Sequence, residues 1–431
     1  MPTGPHRTKR RPWRTVSMLA AAALTMLPIA ARRARAQNHF AGIDAYADAA
    51  PASAERSVPT LAAYLARGGR DDLTRTRAVY RWVTRHIEYD AAGFRTGNYG
   101  DLSAEGVLRR RVSVCDGYAN LVQALGAAMG LQVDIVTGWS KGYGYNTGER
   151  FDGRTNHSWN AVRVGGRWRL MDATWGSGYL DERMKFFRDF QEHYFLTAPD
   201  AFVFDHFPAD PRWQLVDHPL SLAEFADLVY LRPLFFQAGF KIVSHSHARI
   251  AADDRVTVTL GVTQPVEIIA ELVDPATDRR ITGEFVFAQV DDTHAEISAA
   301  FPHAGDYIVR VFGKARGATG PLGWVLDYRV DASRGTRDAA FPTPYSAFAS
   351  RGAWLFESLD GTLHIGHSYR FRLRVPGAIE VMLDNGGRRT MLARVGDEFS
   401  TEANAAPGAS VIYAKYGMGG DYLGLLKYVG R

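Results

Sequence analysis

A single cysteine, Cys115, occurs in the 431 residues. It lies in VCDGYAN (114–120), and two later strings answer it: NHSWNAV with His157 and WRLMDATWG with Asp172. A thiol, an imidazole and a carboxylate are the parts of a nucleophile, its general base and the group that orients the base. Their chemistry is attack of a thiolate on a carbonyl carbon, with the imidazole moving the proton. Each residue also has a plain reading, as an inert thiol, a hairpin histidine satisfied by its neighbours and a strand-end carboxylate. The choice rests on whether the elements carrying them bring them together.

Apolar spacing predicts helices over 58–69 and 71–89, with Asp71 and Asp72 where an N-cap belongs. Residues 91–113 read as a glycine-containing loop with a short helix from Ala104 to Arg111. From Cys115 to Met129, Tyr118, Leu121, Val122 and Leu125 recur at spacings of three and four, and Gly130 ends the run. Cys115 therefore belongs at a helix N-terminus, where unpaired N–H groups favour a thiolate and can receive an oxyanion. QVDIVTGW (132–139) alternates as a strand, and 140–155 is a loop rich in Gly and Tyr. His157–Val164 and Arg167–Trp175 read as a hairpin around Gly165 and Gly166. With Val164 opposite Arg167, His157 faces Thr174 and Asp172 faces Trp159. His157 and Asp172 then share a face as diagonal neighbours, about 7–8 Å apart.

The first 36 residues differ from the rest. Arg7, Lys9, Arg10, Arg11 and Arg14 precede an apolar run from Val16 to Ala30, and Ala34, Arg35 and Ala36 offer small residues for cleavage. This is the pattern of a secretory signal peptide, with a retained anchor as the alternative. The segment holds eight Lys and Arg and no acid, so the net charge of +5 becomes −3 without it, 43 basic against 46 acidic residues. No nucleic-acid partner follows from that balance. A secreted, periplasmic or cell-surface destination is expected, with no transmembrane segment after cleavage.

Residues 176–238 mix aromatic and polar stretches and read as irregular structure against the preceding domain. Beyond about 241 the chain turns to strands and turns, in two sets joined near Ser333–Thr343. The expected domains are a signal peptide (1–36), a catalytic domain (37–238) and two β-sandwich-like domains (239–332 and 333–431). His245 and His247 have a spacing that suits a metal but no supporting acid or cysteine cluster, and Asp253, Asp254, Asp291 and Asp292 read as solvated turns. No metal or cofactor is expected.

GYA after the cysteine, NHSWNAV and RWRLMDATWG resemble the core of the transglutaminase-like superfamily, over roughly residues 60–235. GWSKGYGY (138–145) and YFLTAPDAFVFDHFP (194–208) are similar to its kyphoscoliosis-peptidase branch, whose members continue into β-domains. The resemblance implies an α+β fold with a papain-like core, and a cysteine–histidine–aspartate triad at Cys115, His157 and Asp172. It implies a hydrolase or acyl transferase acting on peptide or protein amides through a thioester, or a non-catalytic binding module on the same scaffold. The β-domains would engage substrates or a protein of the cell envelope. Among the nearby aromatics, Tyr143, Tyr145, Trp159 and Trp175 are the substrate-binding candidates, with core packing as their other reading. Asn156 and Asn160, flanking the histidine, are expected to make structural hydrogen bonds.

Overall fold

The computed structural model of the protein describes residues 29–151, 153–336 and 340–431. The signal segment expected at 1–36 lies outside the described residues as far as residue 28. The core opens with three helices, α1 (Ile29–Asp48), α2 (Val58–Gly68) and α3 (Asp72–His86). Asp71 caps α3: its carboxylate accepts from the Thr74 amide, and the Thr74 hydroxyl accepts from the Asp71 amide. One face of α3 buries Ala78, Val79, Tyr80, Trp82 and Val83. Arg77, also buried, joins Asp44 and Glu192 at 2.7 Å each, which fastens α1 to α3 and α3 to a later segment. The helix stops three residues short of the expected end. Glu88–Tyr89 (β1) instead pairs in parallel with Val112–Ser113 (β2). Between them lie α4 (Ala91–Thr96) and α5 (Ala104–Arg110); α4, started by an Asp90 cap, replaces part of the expected loop.

Helix α6 (Cys115–Ala128) turns Tyr118, Ala119, Leu121, Val122 and Leu125 into the core. It packs on a sheet whose strands are β3 (Val133–Ser140), β4 (His157–Val164), β5 (Arg167–Met171) and, at the far edge of β3, β8 (His206–Pro208). The β4–β5 register is the expected one from Val164↔Arg167 to Asn160↔Met171. Gly165 and Gly166 form the turn at φ 57° and 78°, the left-handed pair a two-residue hairpin needs. The strand expected to reach Trp175 ends at Met171, however. Asp172 leaves the ladder because its carboxylate takes the amides of Thr174 and Trp175 and starts α7 (Ala173–Ser177). His157 consequently pairs with Gly138 on β3 and has no partner at Thr174.

The stretch expected to be irregular holds a hairpin, β6 (Gly178–Leu180) with β7 (Phe186–Arg188), a short helix α8 (Pro199–Phe202), and then β8. Gly138 admits β8 to the sheet. A Cβ there would lie 2.1 Å from the Phe207 carbonyl oxygen.

Two β-sandwiches follow. In the first, Arg249–Ala252, Gly323–Ala332, Gly305–Ala315, Val266–Asp274 and Arg279–Arg280 face Phe240–Ile242, Arg255–Val262, His294–Ala300 and Val286–Val290. Its core includes Val229, Leu231, Phe235 and Ala238, and Leu231 pairs with Leu326. The sandwich therefore begins ahead of the boundary expected at 239. In the second, Ser368–Arg374 and Glu398–Asn404 form the centre of one sheet, and Leu423–Gly430, Gly408–Lys415 and Glu380–Asn385 form that of the other. Phe287 and Ala300 of the first sandwich join the core of the second, and a buried Gln289 exchanges hydrogen bonds with the Leu355 backbone. No helix among the described residues is long and apolar enough to cross a membrane.

Candidate active site

Cys115 is the first residue of α6. The capping position before it is Val114, which has no side-chain acceptor, so no side chain caps the first amides of the helix. Two hydrogen bonds lock this end of α6 to β4: the Ser158 hydroxyl donates to Asp116 at 2.5 Å, and the Asn160 amide donates to the Ala119 carbonyl at 3.1 Å. Alternation along β4 sends Ser158 and Asn160 to the helix, and sends Trp159 to the other face against Phe202. Asn156 braces the end of β3, accepting from the Ser140 amide and donating to its carbonyl.

The structure brings the three candidate residues together. His157 Nε2 lies 2.8 Å from Asp172 Oδ2, both residues being buried. The half-buried Cys115 thiol lies close enough to act on the charge of this imidazole. With Nε2 on Asp172, Nδ1 is the ring nitrogen left for sulfur. Burial alone would push His157 down, but the charge and hydrogen bond of Asp172, together with Cys115, outweigh it and hold the ring up at about 10. Burial likewise pushes the Asp172 carboxyl up. It is overcome by His157 and His206, and Asp172 is held far below the ordinary carboxylate range. The site thus sets the Asp172 carboxylate beside a His157 ring that is biased toward its protonated form, next to the N-terminal end of α6.

His206 is a residue that sequence reasoning missed. It is fully buried, with Nε2 3.2 Å from the same Asp172 oxygen and Nδ1 2.6 Å from Asp205. The string DHFP (205–208) was visible, but nothing local placed it beside residues far earlier in the chain. Tyr89 was also missed. Through the β1–β2 pairing it stands near Cys115, and burial, followed by the closeness of that cysteine, pushes its phenol far up. Among the described residues, His157, Asp172 and His206 form a group with one ligand-type atom each within 4.8 Å of one another. Their hydrogen bonds already account for that closeness.

A cleft of about 1580 Å³ reaches His157. Tyr89, Phe94, Tyr143, Trp175 and Tyr179 line it on the core side, and Arg232, Lys314 and Trp324 of the first sandwich on the other. Tyr143 is half exposed on its wall. Tyr145 lines it too, packed edge-on against Tyr230, and Trp175 stands 5.3 Å from the His157 ring. Trp159 does not belong with them. It is 1% exposed and packs behind the imidazoles of His157 and His206, so its place is in the core.

Comparison with known proteins finds similarity at the level of the domains. The model of the transglutaminase-like superfamily matches residues 59–173, and that of the KY-like, immunoglobulin-like domain matches residues 222–343. The chain is 37% identical to human kyphoscoliosis peptidase over 228 residues, 52% of this chain and 34% of that protein. It is 30% identical to hillarin of Drosophila melanogaster, over 47% of this chain and 26% of that protein. It is also 30% identical to the Lim and transglutaminase domain protein ltd-1 of Caenorhabditis elegans, over 48% of this chain and 30% of that protein. The chain thus spans about a third or less of the length of these relatives.

Proposed function

From a transglutaminase-like core followed by immunoglobulin-like sandwiches, similar to the kyphoscoliosis-peptidase branch, we propose that the chain is a thiol hydrolase or acyl transferase acting on peptide or protein amide bonds. The observation that carries this reading is the contact of His157 with both Asp172 and Cys115 at an uncapped helix end. His157 takes the Cys115 proton and the thiolate forms a bond to the amide carbon. The oxygen's developing charge falls among the first amides of α6. His157 then gives the proton to the departing nitrogen as the C–N bond breaks, leaving a thioester on Cys115. Water, deprotonated by His157, releases the acid; an amine in its place yields a cross-link.

The cleft favours a polypeptide substrate. It exceeds the size of a single side chain, and half-exposed Phe94, Tyr143 and Tyr179 offer apolar contact along it. The proposal includes export to the periplasm, cell surface or medium, on the strength of residues 1–36, and an envelope protein partner for the sandwiches.

The test is intact-protein mass spectrometry with an electrophilic probe for activated thiols, on wild type, Cys115→Ala and His157→Ala. A single adduct on wild type that is lost in both variants is expected. A folded wild type that takes no adduct would overturn the catalytic reading in favour of a binding module.

A further inference from the structure

The sandwich wall of the cleft carries a cation that nothing in the protein neutralises. Arg232 lies over the Trp324 indole, its guanidinium carbon 3.4 Å from the ring centroid, and Tyr230 lies 5.3 Å from it. Arg310 lies over the same indole at 4.3 Å. The two arginines differ in what answers their charge. Arg310 is bonded to Asp327 at 3.0 Å and to Asp278 at 2.9 Å. Arg232 has no carboxylate within ion-pair distance among the described residues, and its buried Nε has no hydrogen-bond partner there. Asp327 acts on it only through space. A guanidinium keeps its proton at any ordinary pH, so holding one partly out of water with its N–H groups unused is costly. The other acids and cations along the cleft are engaged. Asp181 accepts the amides of Arg183 and Lys185, Gln191 donates to Asp189 at 2.6 Å, and Glu192 pairs with Arg77. Lys314 pairs with Glu267 at 3.6 Å and donates to the Gly320 carbonyl at 2.8 Å. Glu182 and Arg183, at the tip of the β6–β7 hairpin, are exposed, and solvent screens them.

We propose that Arg232, seated on Trp324, is a subsite for a carboxylate of the substrate, borne by an acidic side chain or a free chain end, so that the first sandwich sets specificity for the chemistry at Cys115. This rests on the thiol hydrolase or acyl transferase reading above. Stacking on the indole occupies a face of the guanidinium and leaves its N–H edge, whose fork matches the two oxygens of a carboxylate. The backbone under Arg232 is fixed by the sandwich: its amide donates to the Val325 carbonyl at 3.0 Å, and Leu231 before it pairs with Leu326. The side chain therefore starts from a rigid point on the wall. A neutral group at this place leaves the guanidinium unpaired, and a basic one is repelled, so the subsite selects against both.

The probes are alanine-based heptapeptides with Nε-chloroacetyl-lysine at the centre, which alkylate a thiol that binds them. One set has Glu on both sides of the centre and an amidated end, a second has Gln there and an amidated end, and a third has Gln and a free carboxyl end. Rates at Cys115 would be followed in the full chain as wild type, Arg232→Gln, Arg232→Lys and Lys185→Gln, each divided by that protein's own rate with iodoacetamide. Wild type is expected to take a carboxylate-bearing peptide about tenfold faster than the neutral one, as for a charge-assisted pair. Whether the Glu or the free-end peptide is favoured names the source of the carboxylate. Arg232→Gln is expected to abolish the preference. Lys185→Gln removes an equal charge beside the cleft and is expected to keep it. Equal rates for acidic and neutral peptides in wild type, a preference that survives in Arg232→Gln, or an equal loss in Lys185→Gln would each overturn the proposal. Should Arg232→Gln fail to fold, Arg232→Lys decides. It keeps the charge without the fork, so a smaller preference is expected, and one as large as in wild type would refute the subsite. A wild type whose Cys115 takes iodoacetamide no faster than a free thiol would instead sink the triad reading, while the ratio of acidic to neutral rates would still read the subsite.

Discussion

Asp172 in the core and Asp327 in the first sandwich are both buried, and their carboxyls are driven in opposite directions. Asp327 is pushed up, because burial outweighs Arg310, which reaches it through hydrogen bonds of 3.0–3.2 Å. Asp172 is driven down, because the His157 imidazole, and after it that of His206, outweigh burial. Burial alone makes a carboxylate basic, whereas the number and charge of its donors make it an anion. The regions differ in the same way. Among the described residues the core buries Arg77, Lys141, His157, Asp172, Asp205 and His206, and the sandwiches bury Asp327. Charge buried at this density is a poor route to stability. Its concentration in the core sets that domain apart from the sandwiches, whose described interiors are mainly aliphatic and aromatic.

The strongest way to break this comparison is to remove each carboxylate. Asp172→Ala strands two imidazoles and two amides in the interior, so a loss of about 3–5 kcal/mol is expected, together with loss of rapid Cys115 labelling. Asp327→Ala leaves Arg310 with Asp278 at 2.9 Å, and a smaller loss is expected with labelling intact. Urea unfolding of the two variants checks this, and equal losses would remove the distinction.

Alkaline pH separates the buried charges within the core. His157 is raised from 6.5 to about 10, so the folded state binds the extra proton, and its stabilisation is complete below 6.5 and lost as pH rises through 10. Lys141 behaves in the opposite sense. Burial lowers it from 10.5 to about 7, so the unfolded state binds the extra proton and stability rises across 7 to 10.5. Relative to wild type, Lys141→Met is expected to lose stability between pH 7 and 10 and His157→Gln to gain it, read from urea midpoints at both pH values. Parallel curves for all three proteins would refute the assignment. Lys141 also donates from Nζ to the Leu228 carbonyl at 2.5 Å, just ahead of the first sandwich core, so it ties the site to the domain junction.

Leu260 is fully buried in the first sandwich. Leu260→Ala is expected to cost about 2–4 kcal/mol, the usual range for emptying a packed site. Labelling of Cys115 should not change while the protein stays folded; a slower rate would show that the sandwich shapes the triad.

What could be read in the sequence follows the range of the interactions. The α6 stripe and the β4–β5 register were legible because a helical period and a Gly-Gly turn act within a few residues. The end of β5 was not, because Asp172 has two local options, staying in the ladder or capping, and the buried histidines favour the second. His206 was out of reach altogether. It meets Asp172 34 positions away, through an edge pairing that depends on Gly138. Trp159 carries the aromatic character of a groove residue, and only the covering segment around Phe202 shows that it belongs to the core.

Asp71 is the smallest test and the sharpest contrast with Asp172. Both are aspartates that cap a helix, and the cap at Asp71 could be placed from its neighbours alone. Asp71 is exposed at the protein surface and completes its box with Thr74, three residues away. Asp71→Ala is expected to lower stability by about 1 kcal/mol, with no change in Cys115 labelling at any pH. A shifted labelling profile would mean that α3 transmits strain to the site through Arg77 and Glu192. An unshifted one would separate two uses of a single local motif: at Asp71 the carboxylate takes the amide and hydroxyl of Thr74 on one oxygen at the protein surface, whereas at Asp172 one oxygen serves the cap and the other faces two histidines in the interior.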